Sequence, residues 1–356
     1  MKERLHPYQI IILTYMIQSG VMLFSLPNML ASTFGTNGWI GILILSFIAI
    51  INISMIALVV KFANGKDLFQ IYESVFPKIL IYPFYVLLAF QWGILGIFVT
   101  NKFILLLKML YFPTVSTYIF TFMLLILTFF LVKGGIYHIG KATVIFFYIT
   151  IGTVLLLAFH LKEFSFVRMT PFIFKEGKDF LTGTLDLFIA FLGYEVFILM
   201  IPYVEASKKW VKYVIFGNLF TTLVYGSVCF ISFGFFSFKQ LSTDLFPVLT
   251  LLEYTKFPFV ERIENLIFTL FAMKVLITVV MYYWSSVTCM NRIFPSFKIG
   301  VLIFAILVLT FFIGLPASVM SEVDLWLKYL GYIEIGLAFG LPLSALGCIA
   351  IISWRK

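Results

Sequence analysis

The chain has 356 residues, 62% of them hydrophobic and only 12% charged, with a mean hydropathy of +1.09. Soluble domains run at about 45–50% apolar and about 25% charged, so a water-soluble fold is excluded and a chain that crosses the membrane repeatedly is predicted. The net charge of +9 has no basic tract longer than Lys208-Lys209 behind it, which argues against a nucleic-acid partner and for loop lysines that orient the spans.

The leader MKERLHPYQ precedes an apolar run from Tyr8 to Ala31. That run is too long for a signal peptide and lacks a small-residue cleavage site, so it is expected to remain as the first span. Windows of about 20 apolar residues predict an all-α polytopic domain over the whole chain, with ten transmembrane helices at 8–31, 38–60, 79–107, 114–132, 141–161, 183–203, 211–236, 263–285, 299–315 and 330–354. An even number puts both termini on one side. Fourteen Lys and Arg, from Lys2 and Arg4 through Lys208, Lys209 and Lys212 to Arg355 and Lys356, share that side, against nine opposite. The bias predicts cytoplasmic termini. Cys229, Cys289 and Cys348 lie singly in apolar segments and His6, His138 and His160 are scattered. That pattern offers no disulfide framework and no metal cluster.

Two loops on the opposite side are long. Residues 162–182 mix Phe164, Phe166, Phe172 and Phe174 with charge, as a segment lying on the membrane surface or an ordinary loop would. In residues 237–262, Pro247 is placed to open a short helix that ends before Pro258 and caps an outer vestibule.

The first and sixth spans are both interrupted. Gln18-Ser19-Gly20 breaks the first, with Pro27 seven residues after Gly20; Gly193-Tyr194-Glu195 breaks the sixth, with Pro202 nine after Gly193. Glycine lets a helix unwind, and a mid-span carboxylate such as Glu195 costs about 2.5–3.5 kcal/mol unless it meets a polar cavity. The breaks fall at corresponding places in two sets of five spans, 8–161 and 183–354. Because five is odd, the second set runs through the membrane in the opposite sense, the inverted-repeat pattern of secondary transporters, whose site lies between two broken helices.

Glu195 and Lys274 are both near mid-depth, and opposite charges at matched depth invite pairing, either to tie helices together or to serve a ligand. Glu195 suits a ligand amine or a proton; the Lys274 ammonium suits the place of a coupling cation. Thr278 shares the face of Lys274, four residues on. Gln91 and Trp92 are placed to close the pocket, or to bond and pack against a neighbouring helix. Asp186, Lys102 and Glu334 fall nearer span ends and are read as structural, reaching the interface by snorkelling. No nucleophile with a base and an orienting group, no phosphate loop and no cofactor motif is present, so no enzyme is expected.

HPYQIIIL, GVMLFSLPN, GKDLFQIYESVFPK, AFLGYEVFILMIPY and LFPVLTLLEYTKFPFVERIENLIF resemble the B subunits of spore germinant receptors, from Pro7 to about Tyr283. The resemblance implies the fold of the amino acid, polyamine and organocation transporter superfamily, and a nutrient such as an amino acid held between the first and sixth helices. It also implies residence in the spore inner membrane, with an A-type membrane subunit and a C-type lipoprotein subunit as partners. On this chain the pocket would be built from Gln18, Ser19, Gly20, Gly193, Tyr194 and Glu195, faced by Lys274 and Thr278. The first break reads Gln-Ser-Gly and not a close pair of glycines, so fewer amides are expected to be free for a carboxylate than in an amino acid permease. The expected function is nutrient sensing; the alternative is a proton-coupled amino acid permease.

Overall fold

The computed structural model describes residues 4–172, 174–204, 210–255 and 263–354. In lipid every backbone polar group needs a partner within the chain, which leaves helices as the economical solution for so apolar a sequence.

The first span is in two pieces. α1 (Pro7–Gln18) stops at Ser19, Gly20 is extended, and a 3-10 turn over Val21–Phe24 leads into α2 (Leu26–Phe34), which has Pro27 in its first turn. α3 (Gly41–Phe62) is followed by α4 (Leu68–Glu73), capped where the Asp67 carboxylate accepts from the Gln70 amide at 2.7 Å. α5 (Lys78–Leu110) comes next. α6 (Thr117–Ile151) runs on as 3-10 helix to Lys162. Here the expected loop at 133–140 is helical, and the interruption is confined to Gly135 at φ 79°, ψ 175°, a conformation glycine reaches without a Cβ clash. The whole stretch, Thr117–Lys162, is 46 residues long, more than twice the about 20 that one crossing needs.

α7 (Phe180–Phe188) opens the second broken span. A 3-10 turn over Ile189–Phe191, an extended Leu192 and Gly193 at φ 114° separate it from a 3-10 helix over Tyr194–Tyr203. α8 (Trp210–Phe235), α9 (Phe238–Thr243), α10 (Pro247–Glu253), α11 (Ile263–Ile293), α12 (Ile299–Gly314) and α13 (Met320–Trp354) complete the bundle. Pro247 does open α10; Pro258 lies outside the described residues. Among the described residues seven helical stretches are long and apolar enough to cross a membrane, and α12 is a shorter apolar helix.

The broken spans are central. Every residue of α1 from Gln9 to Gln18 except Ile11 is buried, against α6, α8 and α11. The most apolar windows of Phe180–Tyr203 and Glu264–Ile293 are 72% buried, against 17% for Thr117–Lys162 and 28% for Met320–Trp354, so α6 and α13 lie at the periphery of the bundle. Leu5 N donates to Tyr203 O at 3.3 Å, and the Tyr72 hydroxyl meets Ser344 Oγ at 2.7 Å. These contacts gather the start of α1, α4 and the last third of α13 at one end of the bundle, the terminal end.

At the other end the 162–182 segment is partly pinned to the protein. Thr36 N donates to Lys175 O (2.9 Å), Phe174 N to Thr36 O (3.1 Å) and Lys178 N to Ser32 O (3.0 Å), which fastens the segment to the end of α2. Phe164 packs on Phe230 and Phe174 on Phe34, leaving Phe166 and Phe172 exposed. Lys208 and Lys209 of the expected basic cluster lie outside the described residues.

Candidate functional site

Ending α1 at Gln18 frees the carbonyls of its last turn, and side chains from neighbouring helices take them up. The Thr278 hydroxyl donates to Ile17 O at 3.0 Å and the Tyr225 hydroxyl to Gln18 O at 2.5 Å. Gln18 itself braces one break against the other: its Nε2 donates to Phe191 O (2.7 Å) and to Asn218 Oδ1 (3.0 Å), while its Oε1 accepts from Thr221 (2.8 Å). Asn218 carries the network to Ser46 of α3 at 3.0 Å. Gln18 is thus fully occupied in holding the breaks together.

The second break is met from outside at Phe191 O and Ala190 O, by Gln18 and Tyr225, and from within at the Gly193 amide. Glu195 folds back so that its Oε2 accepts the Gly193 amide at 2.6 Å. Beyond it, the Glu195 carboxyl lies within hydrogen-bonding reach of the Glu334 carboxyl from α13. Glu334 in turn accepts from Trp92 Nε1 at 2.7 Å and Gln91 Nε2 at 3.2 Å. Both acids are buried, at 1% and 0% exposure.

The expected Glu195–Lys274 pair is therefore not formed. Lys274 instead donates to the Tyr15 hydroxyl at 2.9 Å, with its ammonium 5.1 Å from the Tyr15 ring and 5.6 Å from Phe271. Equal depth brought both charges to the middle of the bundle, but their helices turn them to different neighbours.

A cavity of about 490 Å³ lies on the side of the breaks away from the terminal end. Ile17, Gln18, Gly20 and Val21 line it from the first break, Ile189, Ala190 and Leu192 from the second, Thr278 and Tyr282 from α11, and Glu334 from α13. Its size falls within the about 300–1,000 Å³ of small-molecule sites. Two ion pairs stand along its wall: Lys102–Asp324 at 2.8 Å, and Lys328–Asp186 at 2.8 Å with the Tyr332 hydroxyl on Asp186 at 2.6 Å. Leu245 and Phe246, just before α10, complete the wall, so the expected vestibule contribution of this loop is made by the residues that enter the short helix. A second hollow of about 480 Å³ at the terminal end is lined by Asp67, Leu199, Pro202 and Tyr203 and by the Glu73–Arg292 pair, bidentate at 2.8 and 2.7 Å. Residues 193–198 lie between the two hollows along the chain.

The sequence model of a family described as spore germination protein matches residues 4–320. The chain belongs to that family. Among similar proteins, spore germination protein GerQB of Bacillus cereus is 25% identical over 340 residues, covering 92% of each chain. Spore germination protein B2 of Bacillus subtilis is 26% identical over 352 residues, covering 91% of this chain and 89% of that one. Among solved structures, Mhp1, a nucleobase-cation-symport-1 family transporter in a closed conformation with bromovinylhydantoin bound, aligns with a TM-score of 0.65 at 12% identity, over 92% of this chain and 75% of its own. This spore germination protein is an integral membrane protein of the germinant-receptor B type with a transporter fold.

Within that fold, the structure brings Gln18, Gly20 and Thr278 to the cavity wall. Ser19, Gly193, Tyr194 and Glu195 lie behind it at the breaks, Gln91 behind Glu334, and Lys274 beside Tyr15. Three buried polar atoms at the breaks, Ser19 Oγ, Tyr194 Oη and Glu195 Oε1, have no hydrogen-bond partner among the described residues. Lys102, Asp186 and Glu334, read from sequence as structural snorkelling groups, all line the cavity. The reason for Glu334 is a helix boundary: α13 starts at Met320, not at residue 330, so the acid sits mid-helix. Tyr225 and Asn218 were missed; the signal for them is a row of polar residues in α8, with Asn218, Thr221, Thr222 and Tyr225 spaced by three and four.

Proposed function

We propose that this spore germination protein is the nutrient-sensing subunit of a germinant receptor, binding an amino acid-like ligand in the cavity between the two broken spans. The observation that carries the reading is that one ligand-sized hollow is walled by both interruptions at once. A molecule seated there touches Gly20 and Val21 on one side and Ala190 and Leu192 on the other, so its presence favours whichever arrangement of the two spans fits it. A ligand shifts a conformational equilibrium only by such differential contact. The partners in this reading are an A-type membrane subunit and a C-type lipoprotein subunit, the location is the spore inner membrane, and the termini face the cytoplasm.

The test is binding of labelled amino acids and nucleosides to membranes carrying this chain with its A-type and C-type partners. Saturable binding of at least one, lost when Ala190→Trp fills the cavity wall, is expected. A complete panel without binding overturns the reading.

A second reading, a proton-coupled amino acid permease, draws on the two hollows flanking residues 193–198 and on the buried acids there. Proteoliposomes holding this chain alone would then accumulate labelled substrate under an imposed proton gradient, whereas binding without uptake favours the sensor.

A further inference from the structure

The floor of the cavity carries an arrangement that neither sensing nor transport requires of a polar pocket. Glu334 lines the cavity, and directly behind it Glu195 presents a second carboxyl within hydrogen-bonding reach. Donors already occupy the flanks: Trp92 and Gln91 on Glu334, and the Gly193 amide on Glu195 Oε2. The remaining oxygen, Glu195 Oε1, is buried and meets no donor.

Among the described residues, the polar side chains that interact with the pair carry no positive charge. They are Gln91 and Trp92 of α5, Tyr282 of α11, and Tyr194 of the broken span itself. Of the nearby cations, Lys102 pairs with Asp324 and Lys328 with Asp186, and Lys274 donates to the Tyr15 hydroxyl. Two ionised carboxylates in contact, buried and without a cation, repel strongly; the contact becomes a hydrogen bond when one of them holds a proton.

We propose that Glu195 and Glu334 share a single proton in the empty site and exchange it for the ammonium group of a primary-amine ligand. The proposal rests on the cavity being the ligand site and narrows the ligand class to small molecules with a cationic amine. The balance is simple. The pair with its proton has a charge of minus one; the ammonium enters, the proton leaves through the cavity to bulk solvent, and two carboxylates with one ammonium again carry minus one. Ligand and proton compete, so acidification weakens binding, by up to about tenfold per pH unit for one exchanged proton.

The test does not need the natural nutrient. Infrared spectra of the full chain in lipid nanodiscs are recorded at neutral pH, with methylammonium as the probe and tetramethylammonium, which has no N–H to donate, as control. A protonated-carboxyl band is expected in the empty protein, absent from Glu195→Gln and from Glu334→Gln, and displaced in frequency by Trp92→Phe, which removes a donor but keeps both acids. Methylammonium is expected to abolish the band with release of close to one proton per chain, and tetramethylammonium to leave it. Absence of the band at neutral pH, or its persistence at saturating methylammonium, overturns the proposal. If the band responds as expected while the assembled receptor binds no amino acid or nucleoside, the proton exchange stands and the sensing reading falls.

Discussion

The two interruptions solve the same problem by different means. At the first, the carbonyls at the end of α1 are met by neutral side chains from other helices, Tyr225 on Gln18 O and Thr278 on Ile17 O. At the second, neutral side chains again meet two carbonyls, Gln18 on Phe191 O and Tyr225 on Ala190 O, but the Gly193 amide takes its partner from the broken span itself, the Glu195 carboxylate, which reaches on to another acid. The first break is a joint braced from outside, whose neutral bonds hold in any protonation state. The second depends in part on an ionisable group, so under the proposed proton exchange, events at the cavity floor would loosen or tighten it. The backbone differs in the same sense: Gly193 sits at φ 114°, where only glycine is at ease, whereas Gly20 is at an ordinary φ of −86°.

The largest effect is expected from Gly193→Ala. A Cβ there would lie 2.9 Å from Ile17 Cγ1 and 3.3 Å from Ile17 O, on a backbone that L residues adopt at a cost of about 1–3 kcal/mol. Residue 193 can relax only by moving Tyr194 and Glu195, so thermal unfolding in nanodiscs should fall by at least that amount and ligand binding should be lost. A variant with wild-type stability and binding would show that the second break does not depend on this conformation.

Tyr225→Phe ranks second. It removes the 2.5 Å donor to Gln18 O and the 3.4 Å donor to Ala190 O, leaving two buried carbonyls without it. Interhelical bonds in membranes are worth about 0.6 kcal/mol on average and about 1.7 at most, and the upper part of that range applies because both breaks lose the same hydroxyl. Thr278→Val comes third, at about 0.6 kcal/mol, because its hydroxyl serves only the first break and shares itself with Lys274 O. In a double-mutant cycle, Tyr225→Phe and Thr278→Val should couple, since both brace the end of α1. Strict additivity would mean that the two carbonyls are held independently and the joint is not a unit.

Much of this is legible in the sequence itself. Gly20 and Gly193, each beside polar residues and upstream of a proline, mark the interruptions because little else explains such a cluster in the middle of an apolar span. Glu195 stood out for the same reason. The sequence hid what depends on facing and on helix length. Hydropathy windows began the last span at residue 330 because Asp324 and Lys328 lower the average before it, and this moved Glu334 from the middle of a 35-residue helix to its edge. Depth placed Lys274 level with Glu195 but could not show that α11 turns the lysine toward Tyr15. Residues 133–140 look like a loop because Lys133, Gly134 and Gly135 cluster there, yet one glycine dihedral accommodates the whole bend.

The smallest effect, and the one that sharpens the comparison most, is expected from Gly20→Ala. By residue type the two glycines are equivalent, and a reading from sequence treats them alike. The geometry separates them: at position 20 the nearest atom to an added Cβ is Gln18 O, at 3.9 Å, an ordinary contact on an ordinary backbone. Nothing in the native state resists the methyl, and the unfolded chain loses conformational freedom, a gain of about 0.4–1 kcal/mol for the folded form. Stability should therefore hold or rise slightly. Gly20 does line the cavity, so the methyl takes up ligand space, and affinity for the bulkier members of an amino acid series should fall while that for the smallest is kept. Unfolding midpoints of Gly20→Ala and Gly193→Ala measured side by side, with binding across such a series, test the asymmetry directly. If the two alanines destabilise equally, the breaks are alike, and the division between a braced joint and a chemically responsive one is wrong.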